Sequence, residues 1–201
     1  MDPGDLVAVG ADLAPSTLIT AYASGVFPMA VRKRQLGWWC PDPRGVLPLD
    51  GLRVSRSLRR SIGRYQVTVD RDFEAVIRSC MTTPRPHGWI TDDFVRAYLR
   101  LFELGFAHSV EARDDTGRLV GGLYGISIGG LFAGESMFSA SLDASKVALI
   151  QLVERLHSHG ATLLDVQWTT PHLATLGVID VPRTQYLERL SEALDRPAGF
   201  G

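Results

Sequence analysis

The stretch LVGGLYGISIGGLFAGESMFS, residues 119–139, decides the fold. Two apolar segments, Leu119–Ile128 and Leu131–Phe138, meet at Gly129-Gly130, and paired glycines at such a junction are hairpin turn residues. Immediately upstream, His108–Arg113 reads as a further strand, joined to the first of these through Asp114-Asp115-Thr116-Gly117. Three strands in succession with tight turns make an antiparallel meander. Leu119 to Gly134 is also an uncharged run, but it contains six glycines and falls short of the ~20 residues that a membrane-spanning helix needs.

Working outward, Ala144 to His157 places Val147, Ile150, Val153 and Leu156 at helical spacing, with Gly160 as the stop. Thr162–Val166 is then a strand, and Pro182 opens a last helix through Leu194. On the N-terminal side, Thr91 with Asp92-Asp93 starts a helix that stops at Gly105. Asp70 is the expected cap of a helix to Met81, Tyr65–Val69 is strand-like, and Ser55 can cap a short arginine-rich helix ending at Gly63. Pro15 to Ser24 reads as a helix stopped by Gly25, whereas Phe27 to Arg44 reads as loop because of Pro28, Pro41 and Pro43. The expected fold class is α+β: a small N-terminal domain, 1–42, and a domain with a mainly antiparallel sheet covered by helices, 43–201. The tail from Arg196 to Gly201 is expected to fray.

Composition narrows the function classes. Of 201 residues, 45% are apolar, which suits a globular chain with a sizeable core. The formal net charge of −1 excludes a protein held to nucleic acid by bulk charge alone. That total conceals +4 on residues 1–100 and −5 on residues 101–201. The excess is concentrated further, to +7 across Arg32, Lys33, Arg34, Arg44, Arg53, Arg56, Arg59, Arg60 and Arg64 with Asp42 and Asp50. Cys40 and Cys80 have no spacing suited to zinc and read as free thiols, so no metal is expected. No secretory signal pattern is present, and the expected location is the cytoplasm, away from the membrane.

Three clusters carry candidate chemistry: the Trp38-Trp39-Cys40-Pro41-Asp42-Pro43-Arg44 segment, the hairpin ending in Gly134-Glu135-Ser136-Met137-Phe138, and Asp165-Val166-Gln167. With GVFPM (25–29), SRSLRRS (55–61), HLATLG (172–177) and PRTQYL (182–187) in the same order, the chain resembles the bacterial leucyl/phenylalanyl-tRNA–protein transferases almost end to end. The resemblance implies a larger domain like the N-acetyltransferase fold. It also implies transfer of Leu or Phe, less readily Met, from aminoacyl-tRNA to the α-amino group of proteins beginning with Arg or Lys, which marks them for degradation. No cofactor is implied, and nothing demands more than a monomer. The alternatives are a coenzyme A–dependent N-acetyltransferase and a non-catalytic RNA- or N-terminus-binding adaptor. Against the former, the segment before Ala144, Ser139-Ala140-Ser141-Leu142-Asp143, lacks a glycine cradle for a pyrophosphate.

The same resemblance assigns the reaction to Asp165 and Gln167. On a strand these two point to one face, and a carboxylate there can take a proton from the attacking amine. Whether Gln167 relays that proton or only positions the amine stays open. Glu135, in the same cleft, is expected to select the cationic acceptor. Leu123, Phe132, Met137, Phe138, Leu149 and Val153 are expected to line an apolar pocket for the donor side chain. Trp89 and Met29 are expected to hold the donor's adenosine, Met29 standing where some family members have Trp, with Trp38 or Trp39 able to compensate. Arg56, Arg59 and Arg60 are expected on tRNA phosphates. An Asp165→Ala variant is expected to lose its product with little loss of folding.

Overall fold

The computed structural model describes residues 3–32, 35–84, 88–197 and 199–200. Lys33 and Arg34 of the basic triplet lie outside the described residues. The meander anticipated from the glycine hairpin forms the centre of a seven-stranded sheet. In it β5 (Gln66–Val69), β6 (Ala107–Arg113), β7 (Leu119–Ile128) and β8 (Leu131–Ser139) pair antiparallel in chain order. β9 (Leu163–Gln167) joins β8 in parallel, and β4 (Arg44–Val46) and β10 (Ile179–Val181) extend the sheet antiparallel beyond it. The mainly antiparallel α+β class therefore holds. β4, β10 and the short helix α6 (Pro171–Thr175) are too brief for a periodicity to reveal them.

Alternation along β7 and β8 divides the sheet into two apolar faces. Tyr124, Ile126 and Ala133 join a core with α1 (Pro15–Ala23), α3 (Phe73–Thr82) and α4 (Asp92–Glu103). Leu123 and Phe132 face the opposite way, toward α2 (Arg56–Ser61) and α5 (Ala144–Ser158). Val147, Ile150, Val153 and Leu156 of α5 are all buried, as their spacing required. Close approach of α5 depends on Gly121, where an added Cβ would lie 2.5 Å from the Ala144 Cβ. α7 (Arg183–Leu194) covers a third apolar cluster through Tyr186, Leu190 and Ala193.

Three expectations fail. The segment after Phe27 is not loop: β2 (Phe27–Arg32) and β3 (Gln35–Trp39) form a hairpin, with β1 (Leu6–Val9) on the other side of β3. Pro28 is accommodated because β2 is an edge strand of this small sheet, where a missing N–H breaks no ladder. Asp70 does not cap α3, which starts at Phe73; its carboxylate instead meets His108 Nδ1 at 2.7 Å and the Ser109 N–H at 2.7 Å. The tail does not simply fray, since Phe200 is only 2% exposed and stacks on His108 and Phe132 at centroid distances of 4.2 and 5.4 Å.

Candidate active site

A cavity of about 400 Å³ opens where β2, β7, β8, β9 and α5 converge. Its apolar part comes from Leu123, Met137, Leu149, Leu152, Leu164 and Val166. Met29, Trp89 and Trp168 supply large polarizable side chains, and Glu135 and Gln167 supply the polar end.

Glu135 reaches the cavity through a backbone irregularity. Tyr124 pairs with Ser136 and Gly125 with Gly134, so Glu135 is the extra residue of a β-bulge on β8. A bulge breaks alternation and re-aims a side chain; here Gly134, Glu135 and Ser136 all border the cavity. The carboxylate accepts from Tyr22 Oη at 2.7 Å, Tyr98 Oη at 3.0 Å and Gln167 Nε2 at 3.4 Å. Burial raises its pKa to about 7, while the two tyrosine hydrogen bonds oppose that rise, the Asp165 charge adds to it and Arg44 works against it. Burial also holds both phenols well above their ordinary range, so they stay protonated.

Behind this polar end lies a closed ionic unit. Arg44 grips Asp165 with both ends of its guanidinium, Nε to Oδ1 at 2.8 Å and Nη2 to Oδ2 at 2.6 Å, and donates Nη1 to the Gly25 carbonyl at 2.9 Å. The Phe27 and Tyr186 rings lie 4.8 and 4.4 Å from the guanidinium carbon. Both charged side chains are 1% exposed. Burial lowers the Arg44 pKa, but the Asp165 carboxylate outweighs it and holds the guanidinium above its ordinary value. Asp165 accepts two more bonds, from Tyr186 Oη at 3.0 Å and from the Gln167 backbone N–H at 2.9 Å.

That last bond sets Gln167. The residue has φ +64, the left-handed region that glycine favours, and the Asp165 carboxylate holds it there through the backbone. Gln167 therefore does not continue the strand alternation: its side chain borders the cavity, whereas Asp165 does not. The same-face reading of Asp165 and Gln167 is corrected accordingly. They are linked by carboxylate to backbone N–H, not side chain to side chain.

Comparison with known proteins now bears on this geometry. The family model described as leucyl/phenylalanyl-tRNA protein transferase matches residues 46–191, and the model for the N-terminal domain of the same transferase matches residues 11–42. The chain belongs to that family. As a member of it, the chain is an enzyme of aminoacyl transfer. The leucyl/phenylalanyl-tRNA–protein transferase of Rubrobacter xylanophilus is 51% identical over 94% of this chain and 98% of its own length. The one from an Anaeromyxobacter species, strain Fw109-5, is 50% identical over 98% of this chain and 85% of its own. Among solved structures, the L-PGS of Bacillus licheniformis aligns with a TM-score of 0.42 and 15% identity, over 66% of this chain and 49% of that one.

Placed on this transferase fold, the expected site residues separate. Leu123, Met137, Leu149, Met29, Trp89, Glu135 and Gln167 border one cavity. Phe132, Phe138 and Val153 do not: Phe132 packs under Phe200, Phe138 belongs to the core shared with α3, and Val153 lies in the core beneath α5. The strand and helix spacings could not separate these three, since cavity wall and core are equally apolar. Trp38 and Trp39 cannot replace an adenosine platform, because both are buried and donate their indole N–H groups to the carbonyls of Gly10 and Met29. Trp168 borders the cavity instead, edge-on to Phe27 at 5.0 Å.

The arginines divide similarly. Arg56, Arg59 and Arg60 are exposed on α2, which Ser55 caps by accepting from the Leu58 N–H, and none pairs with a carboxylate among the described residues. Arg44, counted with the basic stretch from sequence, is internal. Cys40 and Cys80 are buried and form no disulfide. Among the described residues no cluster of three His, Cys, Asp or Glu could hold a metal, and no helix is long and apolar enough to cross a membrane.

Proposed function

We propose that this chain moves a leucyl or phenylalanyl group, and less readily a methionyl group, from its tRNA to the α-amino group of a protein beginning with Arg or Lys. The observation that carries the reading is an apolar cavity of about 400 Å³ ending at a carboxylate and an amide, Glu135 and Gln167. An apolar side chain without a branch at Cβ fills such a space without hydrogen bonds, and one methylene changes binding by only ~1–3 kcal/mol. Relaxed choice among Leu, Phe and Met follows.

In this reading the apolar wall of Leu123, Met137 and Leu149 receives the donor side chain, and Met29 and Trp89 hold the 3′-adenosine. Arg56, Arg59 and Arg60 contact the tRNA backbone without reading bases. Gln167 positions the attacking amine. Asp165 is a positioning residue that acts through Gln167, because its oxygens are occupied by Arg44, Tyr186 and the Gln167 N–H. Glu135 faces the acceptor end at the polar wall of the cavity. The lead domain, 1–42, and the catalytic domain, 43–201, act together in a cytoplasmic monomer whose products are directed to degradation.

The rival acetyltransferase reading would need free N–H groups at the start of α5. There the Ser145 N–H is bound by Ser139 Oγ at 3.2 Å, and the Asp143 carboxylate sits beside it, 2.8 Å from Lys146 Nζ. The deciding experiment incubates the protein with Phe-tRNA or acetyl-CoA and an Arg-initiated peptide, then weighs the peptide. A phenylalanyl adduct that requires charged tRNA is expected; an acetyl adduct, or no covalent product from either donor, refutes the reading.

A further inference from the structure

The polar end of the cavity contains a closed ring of three oxygen contacts. Tyr22 Oη meets Glu135 Oε1 at 2.7 Å, Tyr98 Oη meets Oε2 at 3.0 Å, and the two phenol oxygens are in hydrogen-bond contact with each other. Each contact holds one proton when satisfied. The two phenols bring two protons, so the third belongs to Glu135. When Glu135 is ionised, both phenols donate to the carboxylate and the contact between them has no proton. Protonation of Glu135 completes the ring: carboxyl to Tyr98, Tyr98 to Tyr22, Tyr22 back to the carboxyl.

We propose that this ring is the proton acceptor of the transfer reaction, with Glu135 taking the proton that the attacking α-amine must lose. The proposal rests on the transferase reading above. The neutral amine attacks the ester carbonyl carbon of the aminoacyl-tRNA, and as the N–C bond forms an amine proton passes to the Glu135 carboxylate. The tetrahedral intermediate then collapses. The C–O bond to the 3′ oxygen breaks with its electron pair leaving on oxygen, and the Glu135 proton goes to that oxygen, which restores the carboxylate. Amide and free tRNA hydroxyl are the products, and no other reactant is consumed.

Two observations select Glu135 over Asp165 for this step. Asp165 is 1% exposed, does not border the cavity and is neutralised through both oxygens by the Arg44 guanidinium. Glu135 borders the cavity, and the groups facing it are Tyr22 from α1, Tyr98 from α4 and the Gln167 amide from β9, with the Arg44 and Asp165 pair behind. Burial lifts its pKa to about 7, close to the ~7.7–8 of a free α-amine, and a base so matched is the efficient one at neutral pH.

The test is the pH dependence of single-turnover transfer from Phe-tRNA to a saturating Arg-initiated peptide. In the wild type the rate should rise through neutrality to a plateau. In Glu135→Gln it should fall by about 10²-fold at pH 7 and keep only the rise that the α-amine's own titration at ~7.7–8 produces. Tyr98→Phe removes a donor that favours the ionised carboxylate, so the rise should move to higher pH while the plateau remains. A Glu135→Gln variant that keeps the wild-type pH profile and only raises the acceptor KM overturns the proposal in favour of acceptor recognition. An inactive wild type overturns the transferase reading itself. Independently of turnover, a carboxyl ¹³C resonance that is lost in Glu135→Gln should titrate near neutrality; its titration near the ordinary glutamate value refutes the ring.

Discussion

Replacing Arg44 with Met keeps most of the side-chain volume between the Phe27 and Tyr186 rings but leaves the Asp165 carboxylate without its cation. Three hydrogen bonds are lost: two to Asp165, at 2.8 and 2.6 Å, and one to the Gly25 carbonyl at 2.9 Å. Only the Tyr186 hydroxyl and the Gln167 N–H remain to stabilise a charge that is 1% exposed. Breaking a buried pair from one side costs about 3–5 kcal/mol, because the other charge stays buried and uncompensated. For a domain with ~5–15 kcal/mol in total, that is a large fraction. Asp165→Asn should cost a similar amount by stranding Arg44. The double variant Arg44→Met/Asp165→Asn removes both charges and should be more stable than the sum of the singles by about 2 kcal/mol or more. Urea unfolding at pH 7, followed by tryptophan fluorescence, measures all four proteins. A loss under about 1 kcal/mol for Arg44→Met, or simple additivity in the double variant, would refute the assignment of this pair as the brace of the site. It also changes the expectation for Asp165→Ala, which should lose folding stability as well as product.

Further outcomes follow from other parts of the structure. Because Glu135 has a folded-state pKa of about 7, above its unfolded value, the folded protein binds more protons and loses stability as pH rises through about 4.5 to 7. Glu135→Gln should therefore be roughly 1–3 kcal/mol more stable than wild type at pH 8 and no more stable near pH 4, as read by urea unfolding. Leu149→Phe narrows the apolar wall and should depress phenylalanyl relative to leucyl transfer by roughly 10-fold or more in a competition assay. The triple change of Arg56, Arg59 and Arg60 to Ala should weaken tRNA binding irrespective of acceptor-stem sequence and flatten the salt dependence by about two units of slope in filter binding. Phe200→Ala should cost about 3 kcal/mol in urea unfolding, since its ring is buried against His108 and Phe132.

Much of the fold is legible in local pattern. Gly129-Gly130, the 147, 150, 153 and 156 spacing and the stops at Gly105 and Gly160 report backbone and amphipathic preferences that act within a few residues, and the elements formed there. The β2–β3 hairpin was not legible, because Pro28 and the prolines around Asp42 signal a break locally, while the strand is stabilised by pairing to β1 and by burial of Trp38 and Trp39. For the site, residue type and order pointed to Glu135, Gln167, Trp89 and Leu149. They could not distinguish cavity wall from core, so Phe132, Phe138 and Val153 were grouped with residues they do not join. Tyr22, Tyr98 and Tyr186 gave no separate signal: a buried tyrosine reads as an apolar ring until the partner of its hydroxyl is known.

By itself the sequence determined most of the longer elements, the α+β class and the resemblance to one transferase family, since these depend on short-range geometry and on residue identity in order. The tertiary structure alone decided which charges are usable. Arg44 and Asp165 lie 121 positions apart and neutralise each other inside the protein, whereas a one-residue bulge turns Glu135 into the cavity and leaves its carboxylate among neutral hydroxyl and amide donors. Charge in a sequence is a property of residue type; the proton affinity of a carboxylate depends on the water and the partners that the fold removes or brings to it.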